Sequence, residues 1–193
     1  MKDDKVTSAK SKTYIMTSAA IMTAVMCILA PLSVPVGPVP ISLGTLVLYF
    51  SVVILGTQSA LISCVLYLLL GAAGLPVFTG FTGGLAKVAG PTGGYMLGYL
   101  FLILISGIFI ERFTRHLTGM KKKAAIFAAL IVGTAVLYAF GLAWFCRISG
   151  MDAKAALALT VYPFIPLDVL KMILASAFGP VIKDRLKQAG VLR

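Results

Sequence analysis

Six long apolar runs constrain what this chain can fold into. Glycine-, proline- or lysine-rich stretches separate them, and they cover residues 14–30, 41–55, 59–75, 95–110, 124–145 and 160–182. Only 12% of the residues are charged, against about 25% in soluble domains. The runs lack the period-two alternation of a membrane β-barrel, which leaves the α-helix as the structure that satisfies every backbone polar group in a bilayer. The chain is therefore predicted to be an all-α integral membrane protein with six transmembrane helices.

The division between the second and third runs is the least regular part of this pattern. Residues 41–75 are too long for one untilted helix across a hydrocarbon core of about 30 Å, yet short for two spans of about 20 residues each. The sequence Gly56-Thr57-Gln58-Ser59 interrupts the apolar stretch and favours two short helices. A five-span protein is the alternative.

The positive charges predict an orientation. In a six-span arrangement, thirteen lysines and arginines fall at the N-terminus, in the 112–123 linker and in the C-terminal tail, whereas Lys87, Arg147 and Lys154 fall on the other side. Because positively charged segments stay in the cytoplasm, both termini are predicted to be cytoplasmic in a bacterial-type cell membrane. The whole chain, 1–193, is predicted to be one membrane domain, with a basic N-terminus (1–13), a helical bundle (14–182) and a basic tail (183–193).

Several other site classes are disfavoured by the composition. The net charge of +11 is clustered at segment ends without an aromatic-rich nucleic-acid motif, so topology explains it better than nucleic-acid binding. His116 is the sole histidine, which excludes a metal site built on a histidine cluster. Cys27, Cys64 and Cys146 lie in apolar runs without paired spacing and are predicted to be packing residues. The chain also lacks a GxxxxGK[ST] phosphate-binding loop, so it is not expected to hydrolyse ATP itself.

The last apolar run carries two charges, Asp168 and Lys171. A charge at the centre of a bilayer costs roughly 2.5–3.5 kcal/mol on insertion scales, so two charges in one span are expected to have a functional or structural role. Residues three apart share a helix face, where they can neutralise each other and still present an acceptor and a donor. With the helix starting at 160, Asp168 would lie about eight residues, or roughly 12 Å, below its outer end. A polar ligand site and a structural ion pair both remain open.

Two unusual loops fall on the same outer side as this pair. Residues 30–40 contain Pro31, Pro35, Pro38 and Pro40, which predicts a stiff, extended lid. Residues 74–94 contain seven glycines and many apolar residues, so this loop is expected to fold back over the bundle and approach a ligand closely. The alternative is that both loops only plug the top of the bundle.

Three motifs in a fixed order resemble one family. They are GLPVFTG at 74–80, GPTGGY at 90–95 and PLDVLK at 166–171. Over about residues 14–185 the chain closely resembles BioY, the biotin-specific S component of energy-coupling factor (ECF) transporters. The resemblance implies six membrane helices, biotin bound in the outer half of the membrane, no catalytic activity and no cofactor. It also implies partners, namely one transmembrane coupling protein and two ATPases that supply the energy.

The same resemblance implies the residues of a biotin site. Asp168 and Lys171 are expected around the ureido head, as acceptor and donor. The family often has an asparagine before the paired glycines of the second loop, and here Thr82 takes that place. Lys87 is a candidate partner for the biotin carboxylate, although a loop lysine is more often simply solvated. The full set of expected binding residues is Asp168, Lys171, Thr82, Gly83, Gly84, Tyr95, Phe78, Tyr162 and Lys87, with core or interfacial packing as the alternative for each aromatic residue.

Further expectations concern the partner surface and the competing functions. The small-xxx-small motif Ala20 to Ala24 matches the family's docking site for the coupling protein, and small residues let two helices approach closely. An S component or small transporter for a different vitamin is the nearest alternative, because one fold serves several substrates. An intramembrane enzyme using Asp168 lacks a second catalytic group, and a purely structural subunit would leave the charge pair without a role.

Overall fold

Eight helices and one small hairpin make up the part of the chain that the structure describes, residues 2–34 and 39–190. The structure is a computed structural model in which side chains are described from Thr13 onward. The elements in chain order are α1 (Lys2–Leu29), β1 (Ser33–Val34), β2 (Ile41–Ser42), α2 (Gly44–Leu55), α3 (Thr57–Ala72), α4 (Leu85–Ala89), α5 (Gly93–Phe113), α6 (Gly119–Ser149), α7 (Ala153–Thr160) and α8 (Ile165–Gln188). The predicted all-α class is thereby confirmed.

The six longer helices lie over the six predicted apolar runs. Three of them, α5, α6 and α8, are long and apolar enough to cross a membrane by length and composition. Shorter apolar helical stretches cover 13–29, α2 and α3. Helix length and composition therefore identify three of the six predicted spans, and the six-span count stays a prediction.

The polar and apolar side chains are distributed as expected for a protein in lipid. Large apolar side chains face outward, among them Ile28, Leu69 and Phe178, which are each more than half exposed. Polar side chains lie inside, where Tyr49 and Thr134 share a hydrogen bond of 2.9 Å and the Ser106 hydroxyl donates to the Ala129 carbonyl. Pairing inside the bundle is required because lipid offers no hydrogen-bond partner.

A single glycine separates α2 from α3. Gly56 has φ of +85°, which other residues adopt only with strain. The first residue of α3, Thr57, then donates from its backbone nitrogen and its hydroxyl to the Glu111 carboxylate at the end of α5. The predicted interruption at 56–59 is thus observed, and it is confined to Gly56.

The last helix begins later than predicted. The expected start at 160 is wrong, because α7 ends at Thr160 and turn residues precede α8 at Ile165. Pro166 occupies the first turn of α8, where its missing N–H is not needed, so this proline is placed where a helix starts. Asp168 consequently lies in the first turn of α8, not eight residues into a helix.

The loops 30–40 and 74–94 contact each other. Ser33 and Val34 of the first loop pair with Ser42 and Ile41, respectively. Pro35 and Pro38 of this loop lie outside the described residues, and so does Arg193 of the tail. The loop 74–94 contains α4 and an antiparallel bridge between Phe78 and Thr82. The Gly80 nitrogen donates to the Pro31 carbonyl at 3.0 Å, which ties the second loop to the first.

Candidate functional site

Asp168 is held at the start of α8 by the sequence around it. Its backbone nitrogen donates to the Phe164 carbonyl at 2.8 Å, and Pro166 favours the helical φ of the first turn. The positive end of the helix dipole stabilises a carboxylate at this position. Asp168 is only 2% exposed, so its carboxylate must find its partners inside the bundle.

Three helices supply those partners. Asp168 Oδ1 accepts from Lys171 Nζ at 2.9 Å and from the Thr45 hydroxyl of α2 at 3.0 Å. Asp168 Oδ2 accepts from the Tyr138 hydroxyl of α6 at 2.6 Å. Hydrogen bonds to an ionised group are short and strong, so both carboxylate oxygens are well satisfied.

Lys171 has a complete set of partners as well. Besides Asp168, its ammonium donates to the Thr45 hydroxyl at 2.8 Å and to the Ser42 carbonyl of β2 at 2.9 Å. The three donors of an ammonium are thus all used. Lys171 is 8% exposed, and the network ties β2, α2, α6 and α8 together around one neutral ion pair.

The ion pair forms one wall of a cavity between the helices and the outer loops. The cavity volume is about 60 Å³, well below the roughly 300 Å³ of a typical small-molecule site. Its lining combines the charge pair with aromatic, apolar and hydroxyl side chains: Val39, Pro40, Ser42, Thr45, Thr79, Lys87, Thr92, Tyr95, Met96, Tyr99, Leu137, Tyr138, Thr160, Phe164, Asp168 and Lys171. The cavity as it stands is therefore smaller than a ligand of ordinary size.

Four of the nine predicted binding residues line this cavity, namely Asp168, Lys171, Tyr95 and Lys87. The Tyr95 hydroxyl donates to the Thr160 hydroxyl at 2.6 Å. Its ring lies directly over Gly141 of α6, where any Cβ would collide with it. Tyr95 is therefore fixed as a wall by α6 and α7.

The other five predicted residues do not line the cavity. Phe78 is 1% exposed and packs edge-on against Tyr67, with ring centroids 5.5 Å apart. Tyr162 is 60% exposed on the outside. The remaining three residues lie in the loop 74–94, just before α4: Thr82, Gly83 and Gly84.

These three loop residues shape the turn behind the cavity wall. The Thr82 hydroxyl donates to the Thr79 carbonyl at 3.0 Å, and Thr79 itself lines the cavity. Gly83 passes so close to the Leu75 carbonyl that a Cβ would collide with it. Gly84 has φ of +95° and donates to the Gly71 carbonyl at 2.7 Å.

The sequence reasoning missed Thr45 and Tyr138, which bind the Asp168 carboxylate directly. Their partner is 123 and 30 residues away in sequence, so no local spacing links them to it. A tyrosine or threonine in an apolar run is also common as a packing residue. The available signal was that a buried carboxylate needs more donors than one lysine supplies.

The α1 face that carries Ala20 and Ala24 is exposed on the surface of the described chain. Both alanines are exposed, whereas their neighbours Ala19 and Thr23 are buried, and the Thr23 hydroxyl donates to the Ala19 and Ser63 carbonyls. Ile21 and Ile28 are also exposed, at 61% and 66%. This face is consequently apolar and free to contact lipid or another helix.

The model of the BioY family matches residues 2–188. The chain belongs to the BioY family. It is 36% identical over 169 residues to Biotin transporter BioY2 of Lactococcus lactis subsp. cremoris, covering 88% of this chain and 90% of that protein. It is 37% identical over 166 residues to Biotin transporter BioY of Rhizobium etli, covering 85% and 88%. The resemblance drawn from the three motifs is confirmed.

The fold agrees with a solved structure. The BioY-family chain matches a protein described as the S-component for biotin from an ECF-type ABC transporter, solved as a crystal structure at 2.1 Å. The TM-score is 0.80 with 30% sequence identity, and the match covers 91% of this chain and 93% of the other. The bundle described above is therefore the S-component fold.

Tyr138→Phe should lower the thermal stability of this BioY-family protein. The substitution removes the hydroxyl that donates to Asp168 Oδ2, and an unsatisfied buried group costs about 1–3 kcal/mol. The midpoint of heat-induced unfolding in detergent measures the effect. Tyr162→Phe is the matched control, because that hydroxyl lies on an exposed residue, and its midpoint should equal that of the wild type. An unchanged midpoint for Tyr138→Phe would contradict the network.

Proposed function

We propose that this chain is the biotin-binding S component of an ECF-type ABC importer. The observation that carries the proposal is the buried Asp168–Lys171 pair, which faces a cavity in a chain of the BioY family. Membership of that family and its relatives, which are named biotin transporters, favour biotin over other vitamins. An S component for a different vitamin is the alternative.

The chemistry of the pair fits the ureido ring of biotin. That ring has two N–H donors and one carbonyl acceptor. Asp168 accepts from a ureido N–H, and Lys171 donates to the carbonyl. The fused ring system then lies against Tyr95, Tyr99 and Met96, which line the same cavity.

The valerate tail would extend toward the outer loops. Lys87 lines the cavity from α4 and is the partner we assign to the carboxylate. Thr82, Gly83 and Gly84 act through the loop that carries Thr79, and Phe78 anchors this loop in the core. We assign Tyr162 to the interface between protein and lipid, in place of a direct contact.

Binding requires the ion pair to open. The cavity of about 60 Å³ does not accommodate biotin while Asp168, Lys171, Thr45 and Tyr138 remain bonded to each other. Biotin supplies both a donor and an acceptor, so it can replace the bond between the two charges and leave each of them satisfied. A ligand with only one of these functions would separate the two charges and replace the opposite charge for only one of them, which costs energy in a buried site.

The proposed arrangement in the membrane has six spans with both termini in the cytoplasm. The uneven distribution of lysine and arginine supports this orientation. It places the Asp168 cavity in the outer half of a bacterial-type cell membrane. The contacts agree with this order, because α2 and α8 run in the same direction, as the second and sixth of six spans would: Thr45 contacts Asp168 near the start of both helices, and Val53 contacts Lys183 near their ends.

Transport requires partners that hydrolyse ATP. The chain carries no phosphate-binding loop motif, so we assign this step to two ATPases that act through a transmembrane coupling protein. The exposed Ala20 and Ala24 form the proposed docking stripe, because small residues allow close helix approach in lipid.

Biotin binding to purified protein tests the ligand assignment. Wild type should bind biotin and not thiamine or riboflavin. Asp168→Asn and Lys171→Ala should each weaken binding about tenfold or more, since a hydrogen bond to a charged group contributes about 1.5–3 kcal/mol. Asp152→Asn is the matched control, since Asp152 is exposed and asparagine also caps a helix well. Absence of biotin affinity in the wild type, or unchanged affinity in both site variants, would refute the assignment.

Energised uptake tests the docking stripe separately. The double variant Ala20→Leu/Ala24→Leu should retain biotin binding but lose partner-dependent uptake, because the larger side chains keep the helices apart. Ala135→Leu/Ala139→Leu makes the same change at an equally spaced, exposed pair on α6 and should take up biotin normally. Equal uptake by the two double variants would show that α1 is not the docking helix.

A further inference from the structure

A second polar cleft lies at the opposite end of the bundle from Asp168. Along α8, Lys183 follows Asp168 by fifteen residues, or about 22 Å. The cleft has a volume of about 400 Å³ and is bounded by the ends of α2, α5, α6 and α8. Its lining comprises Val53, Ile110, Glu111, Thr114, Arg115, Lys122, Ile126, Pro180, Lys183, Asp184 and Lys187.

Positive charge dominates this cleft. Arg115 of the turn after α5, Lys122 of α6, and Lys183 and Lys187 of α8 line this cleft, against the two carboxylates of Glu111 and Asp184. A positive cytoplasmic end follows from topology alone. Convergence of four cations on one concave cleft with a buried apolar floor does not follow from topology.

The acidic residues do not neutralise these cations by direct pairing. Among the described side chains, the one ion pair is that between Lys171 and Asp168. Glu111 instead turns its Oε1 toward Thr57, accepting from the Thr57 nitrogen at 2.9 Å and from its hydroxyl at 2.7 Å. Within the described residues, the cleft lining therefore has four cations against two carboxylates, and no ion pair joins them.

Lys183 is hydrogen-bonded within the protein, and Arg115, Lys122 and Lys187 are the cations of the cleft that we consider for ligand binding. The Lys183 ammonium donates to the Val53 carbonyl near the C-terminus of α2 at 3.3 Å. Lys187 and Lys122 line the same cleft, so their like charges repel that of Lys183. This repulsion between like charges would be relieved by a bound anion.

The surroundings of the cleft resemble the boundary between lipid headgroups and acyl chains. Its floor is formed by the buried residues Val53, Ile110, Ile126 and Pro180. Immediately before Lys183 on α8, the exposed residues Phe178, Val181 and Ile182 offer an apolar outer face. An amphiphile can place its anionic head in the cleft and its chains along this face.

We propose that this cleft binds a phosphate group, carried by an anionic phospholipid of the cytoplasmic leaflet. Arg115, Lys122 and Lys187 are the direct partners of the phosphate oxygens. Basic pockets between helices on the cytoplasmic side bind lipid headgroups in other membrane proteins. This site is distinct from the proposed biotin site, with which it shares no lining residue.

Native mass spectrometry of the delipidated full-length protein tests the proposal. The protein is titrated with phosphatidylglycerol, with phosphatidylcholine, and with inorganic phosphate as a competitor at matched ionic strength. Phosphatidylglycerol should bind at least tenfold more tightly than phosphatidylcholine. Competition by inorganic phosphate would show that the free ion also fits the cleft, whereas its absence would show that the lipid is the source of the phosphate.

Matched variants separate a local site from general attraction by positive charge. Lys122→Gln/Lys187→Gln should weaken phosphatidylglycerol binding about fivefold for each lysine removed. Lys121→Gln/Arg185→Gln removes the same charge at the same end, from residues that do not line the cleft, and should stay within about twofold of wild type. Thermal unfolding verifies that both variants fold. Equal weakening in the two double variants, or equal affinity for the two lipids, would overturn the proposal.

Discussion

The ion pair between Asp168 and Lys171 is the interaction on which the rest of this structure depends. Two charges inside an apolar bundle are stable only when each finds partners, since desolvation costs several kcal/mol per ion. The Thr45 and Tyr138 hydroxyls and the Ser42 carbonyl supply those partners from α2, α6 and β2. Satisfying the pair therefore fixes how these elements pack, and it also creates a polar wall that a ligand can use.

The sequence predicted the long helices better than their exact boundaries and the contacts between distant helices. The six apolar runs located the long helices, and the spacing of Asp168 and Lys171 placed both charges on one helix face. The start of α8 was predicted too early, because apolar character continues through Pro163 and Pro166 although a new helix begins there. Thr45 and Tyr138 were not predicted, since only the packing of distant helices brings their hydroxyls to the carboxylate.

The two polar cavities at opposite ends of the bundle have different characters. The outer cavity contains an ion pair whose charges are matched, so it is suited to a neutral ring that both donates and accepts hydrogen bonds. The cleft lined by Arg115, Lys122, Lys183 and Lys187 has four cations against two carboxylates and is suited to an anion. Helix α2 contributes to both, with Thr45 bonded to Asp168 and the Val53 carbonyl bonded to Lys183. A phospholipid at one end and a vitamin at the other would thus contact a shared, rigid helix.

A structure of the biotin-bound protein is the most direct test of the central claim, that biotin binds by dividing the buried ion pair. In this structure Lys171 Nζ lies 2.9 Å from Asp168 Oδ1. With biotin bound, we expect a ureido N–H to donate to Asp168 and the ureido carbonyl to accept from Lys171. Lys171 Nζ and Asp168 Oδ1 should then be more than about 4 Å apart. Biotin bound elsewhere in the protein, with the 2.9 Å contact intact, would contradict it.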